Sequence, residues 1–490
     1  MEASNHVRSR HATAWALLSV SVLVLAGCVK DPVTGKRELV LVSEAQEIQM
    51  GRSASADVDA SMGIVDNPAL NDYVSRLGLS MATVSERPQL PWQFRVVDSP
   101  VVNAFALPGG FIYLTRGILA YINDEAALMG IMGHEIGHVT ARHSVEQITK
   151  QQLAGLGLGM GMIFLPEVRP FGDVLGSGVG ILFLKFSRDA ERESDRLGVR
   201  YSLGQGYDPT TMAEFFDVLG RLGDSAREIP SWASTHPAPE ERHAEILRLI
   251  AAQAPNRDGL RVGEEVYKQQ IEGLIFGENP REGYTEGSRF LHPDLKFQLD
   301  FPDQWKVMNT KQVVYSASPD GGAAIQLTGA PVSAGTRPED HAMVFFRKNQ
   351  LEYGTGERLN TGPFPAYRAP FRVQTQAGTL VGDAGFVVDG EMAYEIVGLT
   401  RPDGYRRAQP IFRATISSFD RLRDENALEI QPVRVHLYPV PTTMALQQVL
   451  ESAGMDSERF DEIALMNNIS LSSTVPAGKL IKILHRGSSP

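Results

Sequence analysis

Apolar positions recur with helical spacing through residues 125–140, where Leu128, Ile131, Met132, Ile136 and Val139 follow the cap-like Asn123-Asp124-Glu125. Upstream, Ser43-Glu44-Ala45-Gln46 has the form of a capping box and predicts a helix to about residue 60. Asn67-Pro68 opens a second helix, with Leu70, Tyr73, Val74, Leu77 and Met81 on one face. Strand-like runs occupy residues 92–97 and 104–115, the latter broken by Pro108-Gly109-Gly110. Residues 153–186 are apolar and glycine-rich, interrupted by Pro166-Glu167-Val168-Arg169-Pro170. Neither half reaches the ~20 apolar residues of a membrane span, so a flexible hairpin is predicted. Helices follow at 186–198 and 239–252, and residues 262–275 close this region before the turn-rich linker that starts at Gly277. Beyond it the pattern changes to alternating strands such as 297–301, 323–327 and 385–388. The tail 431–485 reads strand, helix, helix, strand.

A chain of 490 residues holds roughly two or three domains, and its 43% hydrophobic and 21% charged residues are those of a globular protein. The 47 basic and 58 acidic residues leave a net charge of -11, which argues against nucleic acid as a partner. At the N-terminus Arg8, Arg10 and His11 precede an apolar run over 14–26, too short for a comfortable span and of export-signal form. It ends in Leu25-Ala26-Gly27-Cys28, which resembles the lipobox of bacterial lipoproteins. That resemblance implies a signal peptide over 1–27, lipid on Cys28 and a tether over 28–43. Val29 after the cysteine favours the outer over the inner membrane. Cys28 is the sole cysteine, so no internal disulfide forms.

The chemistry concentrates in Gly133-His134-Glu135-Ile136-Gly137-His138. Two histidines at i and i+4 share a helix face and can reach one metal ion, with Glu135 beside them as general base, the zinc hydrolase pattern H-E-x-x-H. A catalytic zinc keeps three protein ligands and one open position. The run Arg188-Asp189-Ala190-Glu191-Arg192-Glu193-Ser194-Asp195-Arg196 supplies the third. Glu191 and Asp195 lie one turn apart on one face, whereas Glu193 lies about 200° round the helix from Glu191. Glu191 is assigned to the metal and Asp195 to orienting a ligand imidazole. The competing reading is a solvated ion-pair face with Arg188, Arg192 and Arg196. His143 does not complete the longer H-E-x-x-H-x-x-G-x-x-H ligand set, because Ala141 replaces its glycine and Ser144 its third histidine, and is expected to be structural.

His134-Glu135-x-x-His138 followed by Glu191-x-x-x-Asp195 resembles the zinc endopeptidase family of the CAAX prenyl protease, HtpX, Oma and BepA. Pro32-Val33-Thr34-Gly35, the run from Asn103 to Gly110, and Ser234-Thr235-His236-Pro237 with Arg242 resemble its soluble periplasmic branch. The likeness covers about residues 30–275. The membrane spans of the prenyl protease and HtpX, and the helical repeats of BepA, have no counterpart in the sequence. The resemblance implies one Zn2+ per subunit and a gating or oxyanion role for His236, against an ordinary loop histidine. Residues 288–423, with Leu299-Asp300-Phe301-Pro302 and Trp305, resemble a PsbP/Mog-like domain. Residues 431–486 resemble a LysM module without its usual Gly-Asp-Thr opening, either peptidoglycan-binding or a structural cap.

The expected architecture is therefore a multidomain α+β chain. A mainly helical zincin (gluzincin-type) peptidase domain with a small sheet spans 44–276, followed by a linker over 277–287 and the two C-terminal modules. All proposed ligands precede residue 240, so residues 288–490 are expected to be dispensable for the metal site. The expected function is a lipid-anchored periplasmic zinc endopeptidase acting on misfolded or unassembled envelope proteins. The alternatives are a protease-like chaperone or assembly scaffold with a gated or structural metal, and a cell-wall-binding lipoprotein.

Overall fold

The computed structural model describes residues 28–39, 41–155, 186–225, 236, 239–254, 256–375 and 378–487. The predicted signal peptide over 1–27 and nearly all of the predicted hairpin, residues 156–185, lie outside the described residues. Among the described residues no helix is long and apolar enough to cross a membrane.

Local chemistry starts the helices of the first unit. Ser43 and Gln46 close a capping box on helix Glu44–Met62, and Asn67 caps Pro68–Ala82. A three-stranded sheet follows, with strand Phe111–Thr115 central, paired parallel to Gln93–Val97 and antiparallel to Ala104–Leu107. The turn between Ala104–Leu107 and Phe111–Thr115 needs glycine: Gly109 has φ +79°, and a Cβ there would lie 2.6 Å from Ile48 Cα in the first helix. Helix Arg116–Tyr121 leads to the central helix Glu125–Thr140, in which every residue from Ala126 onward is buried. Helices Arg188–Gly204 and Thr210–Ser225 pack against it, and Pro239–Gln253 packs on those two. Segment 262–263 runs along its start, where Val262 O accepts from Ala126 N at 2.9 Å.

Residues 284–421 form a separate body. An antiparallel eight-stranded sheet carries helix Pro338–Lys348 over one apolar cluster and helix Tyr405–Ser417 over another, with a four-stranded sheet alongside.

The last segment returns to the first unit. Strands Val433–Pro439 and Leu480–Arg486 pair antiparallel and flank helices Leu446–Ser452 and Phe460–Asn467, the order read from the sequence. Val435, Val449, Ile463, Ile481 and Ile483 belong to the same apolar core as Leu128, Ile131 and Ile136 of the central helix. Backbone bonds join them: Phe276 N donates to Val433 O and Val435 N to Leu274 O, both at 2.8 Å. Lys482, with 0% exposure, donates to Ala120 O at 2.7 Å and Ile122 O at 2.9 Å, just before the central helix. Residues 433–487 thus complete the core around the central helix, a contact that argues against the expectation that everything after residue 288 is dispensable for the site.

Candidate metal centre

Asp124 Oδ1 accepts from Ala127 N at 2.7 Å and caps the central helix, ten residues before His134. One turn apart on its face, His134 and His138 bring their Nε2 atoms to 3.0 Å. Glycine allows the crossing helix close enough to meet them. A Cβ at Gly133 would lie 3.0 Å from Gly198 Cα, and one at Gly137 3.1 Å from Ser194 Cα. Small residues at i and i+4 on both helices thus form the seam. Glu191 then reaches across it, with Oε2 3.6 Å from His134 Nε2 and Oε1 3.5 Å from His138 Nε2. His236 Nδ1 sits 3.3 Å from His134 Nε2 and 3.1 Å from Glu191 Oε1.

These four donors lie within 4.8 Å of one another. Zinc bonds of about 2.0–2.1 Å at tetrahedral angles separate ligand atoms by roughly 3.3–3.4 Å. Five of the six edges, at 3.0–3.6 Å, bracket that figure, and three imidazoles with one carboxylate suit zinc. Burial, with the Arg242 charge behind it, pushes His134 down to about 4, and burial pushes His138 well below its usual range. Both imidazoles are therefore neutral, the form that ligates metal.

Glu135 has 0% exposure, and neither carboxylate oxygen has a hydrogen-bond partner among the described residues. His236 Nε2 is 3.6 Å away. Burial pushes the Glu135 carboxyl up to about 7, and a cation beside it would pull the value back down. Such a carboxylate is costly unless the site takes a ligand or water.

Behind His134, Asp195 Oδ1 lies 2.9 Å from Nδ1. Arg242 donates Nε to Asp195 Oδ2 at 2.8 Å and Nη2 to Oδ1 at 2.5 Å, and its Nη1 is 3.1 Å from Glu191 Oε2. The guanidinium lies 4.0 Å over the Phe216 ring. Burial alone would raise the Asp195 carboxyl, but Arg242 and then His134 outweigh it and hold the group at about 2. Burial also opposes ionisation of Glu191, and the charges of His236 and Arg242 keep it below the usual carboxylate range.

The structure brings together His134, Glu135, His138, Glu191, Asp195 and His236. Cys28 lies apart, in the short strand Cys28–Lys30 paired with Arg37–Leu39. Two contacts escaped the sequence reading. Arg242 entered only through a resemblance, because nothing in the charged run Glu240-Glu241-Arg242-His243 marks one arginine as buried. His143 carried no signal at all: the helix ends at Thr140, Arg142 turns the chain at φ 57°, and His143 swings back to His138.

Residues 68–250 match the model of peptidase family M48. The beta-barrel assembly-enhancing protease of Escherichia coli strain K12 is 30% identical over 282 residues, 55% of this chain and 54% of that protein. The mitochondrial metalloendopeptidase OMA1 of Arabidopsis thaliana is 33% identical over 241 residues, 48% of this chain and 47% of its own length. This chain spans about half the length of these relatives. The solution structure of cyanobacterial PsbP from Synechocystis covers 28% of this chain and 93% of its own, at 14% identity and a TM-score of 0.24, too low to assign any part of the chain.

Proposed function

We propose that this chain, whose residues 68–250 match the model of peptidase family M48, is a zinc endopeptidase of the bacterial periplasm, lipid-anchored through Cys28 and, by its Val29, at the outer membrane. Its substrates are misfolded or unassembled envelope proteins. The observation that carries the reading is the buried group of His134, His138, Glu191 and His236 with the Glu135 carboxylate beside it, which takes no hydrogen bond among the described residues. A purely structural metal has no use for such a base.

His134, His138 and Glu191 would hold the zinc, which supplies Lewis acidity and an activated water near neutral pH. Glu135 takes the proton of the attacking water and later delivers it to the departing amine. Asp195, clamped by Arg242, keeps the Nδ1 proton of His134 in place, so that Nε2 stays the donor. Strand Ala104–Leu107 is an edge of its sheet, and its outer backbone offers an extended peptide a pairing partner. Glu135→Gln should keep fold and zinc and lose about 10² to 10⁴ in rate, the usual size of a general acid–base contribution. The assay is cleavage of an unfolded model protein by the chain beginning at Cys28, with and without chelator. Parental cleavage by a zinc-loaded Glu135→Gln variant would falsify the peptidase reading.

One observation favours a second reading, an assembly scaffold with a gated site: His236 Nδ1 occupies the fourth corner of the donor group. Glycan binding by residues 431–486 is tested by peptidoglycan pull-down with the full chain, in which no retention excludes it.

A further inference from the structure

His134 is held from behind by Asp195, but Asp195 does not reach His138. The second ligand histidine has its own support. His138 Nδ1 lies 2.9 Å from His143 Nδ1, and His143 Nε2 lies 3.5 Å from Glu193 Oε2. His143 is 5% exposed and Ser194 Oγ is 3.4 Å from its Nδ1. The Phe186 ring stacks on the His138 face at 4.1 Å and 25°. The His138 imidazole is thus gripped on its face by an aromatic ring and at its rear nitrogen by another imidazole.

We propose that Glu193 and His143 form a positioning relay for His138, the counterpart of the Asp195–Arg242 clamp on His134. The inference rests on the zinc reading of the site. With Nε2 of His138 among the metal donors, its proton sits on Nδ1, so His143 Nδ1 is the acceptor. The proton of His143 then sits on Nε2, facing the Glu193 carboxylate. The two arms differ in charge: an anion backs His134 and a neutral imidazole backs His138. That difference has a physical reason. Glu135, Glu191 and Asp195 already bury three carboxyl groups around the centre, and a neutral acceptor supports His138 without adding a fourth negative charge against the ring. Glu193 stays at the partly exposed end of the relay, 25% exposed and shared with Arg196.

The test is zinc affinity of the full chain, by competition with a chromophoric chelator, together with the melting temperature of the metal-free protein and the visible spectrum of the cobalt-substituted form. His143→Leu is expected to bind zinc about 10 to 100-fold more weakly at an unchanged metal-free melting temperature, with shifted cobalt bands. His143→Asn, whose Oδ1 can stand where Nδ1 stands but which does not reach Glu193, should recover part of the lost affinity. Zinc binding by His143→Leu as tight as the parent's, or by His143→Asn as weak as the leucine variant's, overturns the relay. Should His143→Leu not fold, Glu193→Leu takes its place, and unchanged zinc affinity there overturns the relay equally. A parent chain that binds no zinc sinks the endopeptidase reading itself, a result distinct from any difference among variants.

Discussion

One ring nitrogen decides how His236 acts. Its Nδ1 stands 3.1 Å from Glu191 and 3.3 Å from His134 Nε2, at the fourth corner of the donor group, where it competes with the water that hydrolysis needs. His236→Ala is therefore expected to raise basal cleavage of an unfolded substrate at unchanged zinc content. A fall of about two to three orders of magnitude would assign it to oxyanion stabilisation instead. Asp124 shows a different balance. Its cap bond to Ala127 and the helix N-terminus favour the anion, yet burial at 7% exposure wins and pushes the carboxyl up to about 6 from 3.8. Because the folded value is the higher one, this stabilising contribution is complete below pH 3.8 and is lost as pH rises through about 6. Asp124→Asn keeps a cap acceptor and cannot ionise. It should melt with the parent at about pH 4 and above it at about pH 8, by about 1–3 kcal/mol after allowance for residual hydration. A variant no more stable than the parent at the higher pH would show that the anion is not strained there. Caps of this kind were legible because their chemistry is local; His236 was reached only through a family resemblance, because residues far apart in sequence carry no sign of meeting.

Between elements, the decisive contact is glycine against glycine. On an isolated helix Gly133, Gly137 and Gly198 are each worse than alanine by about 1 kcal/mol. Here they set the approach of the two helices that carry His134 and Glu191, since a Cβ at Gly198 would meet His134 N at 3.0 Å. Gly198→Leu should force the seam apart, costing roughly 1–3 kcal/mol and weakening zinc binding while the body at 284–421 keeps its own fold. Unaltered zinc affinity in that variant, measured by chelator competition, would mean the seam does not set the ligand spacing. The sequence carried this seam in plain view, as small residues four apart in both helices, but nothing in it said that they face each other. Glycines also lie inside the second body's sheet, where the strand noted over 385–388 runs the whole length of Gly378–Asp389. In the folded sheet a Cβ at Gly382 would lie 1.9 Å from Gly398 O and one at Gly385 2.4 Å from Ile416, so these are packing positions inside a long strand.

At the scale of the molecule, the chain leaves the first unit at Phe276 and returns at Val433, two residues joined by a 2.8 Å backbone bond. The body between them is an insertion whose ends touch, a relation that hydrophobic patterning cannot reveal because each segment is regular by itself. Replacing residues 278–431 by a short glycine-serine linker should leave zinc affinity at the parental level, whereas a chain ending at residue 430 should lose it. If the shortened chain bound zinc as tightly as the full one, the shared core of Ile481, Ile483 and Leu128 would not matter to the site. The buried Lys482 contact has a consequence in time as well as in space. Ala120 and Ile122, just before the helix that carries His134 and His138, accept from a side chain 360 residues or more further along the chain, so the seat of the metal donors closes only once strand Leu480–Arg486 has docked.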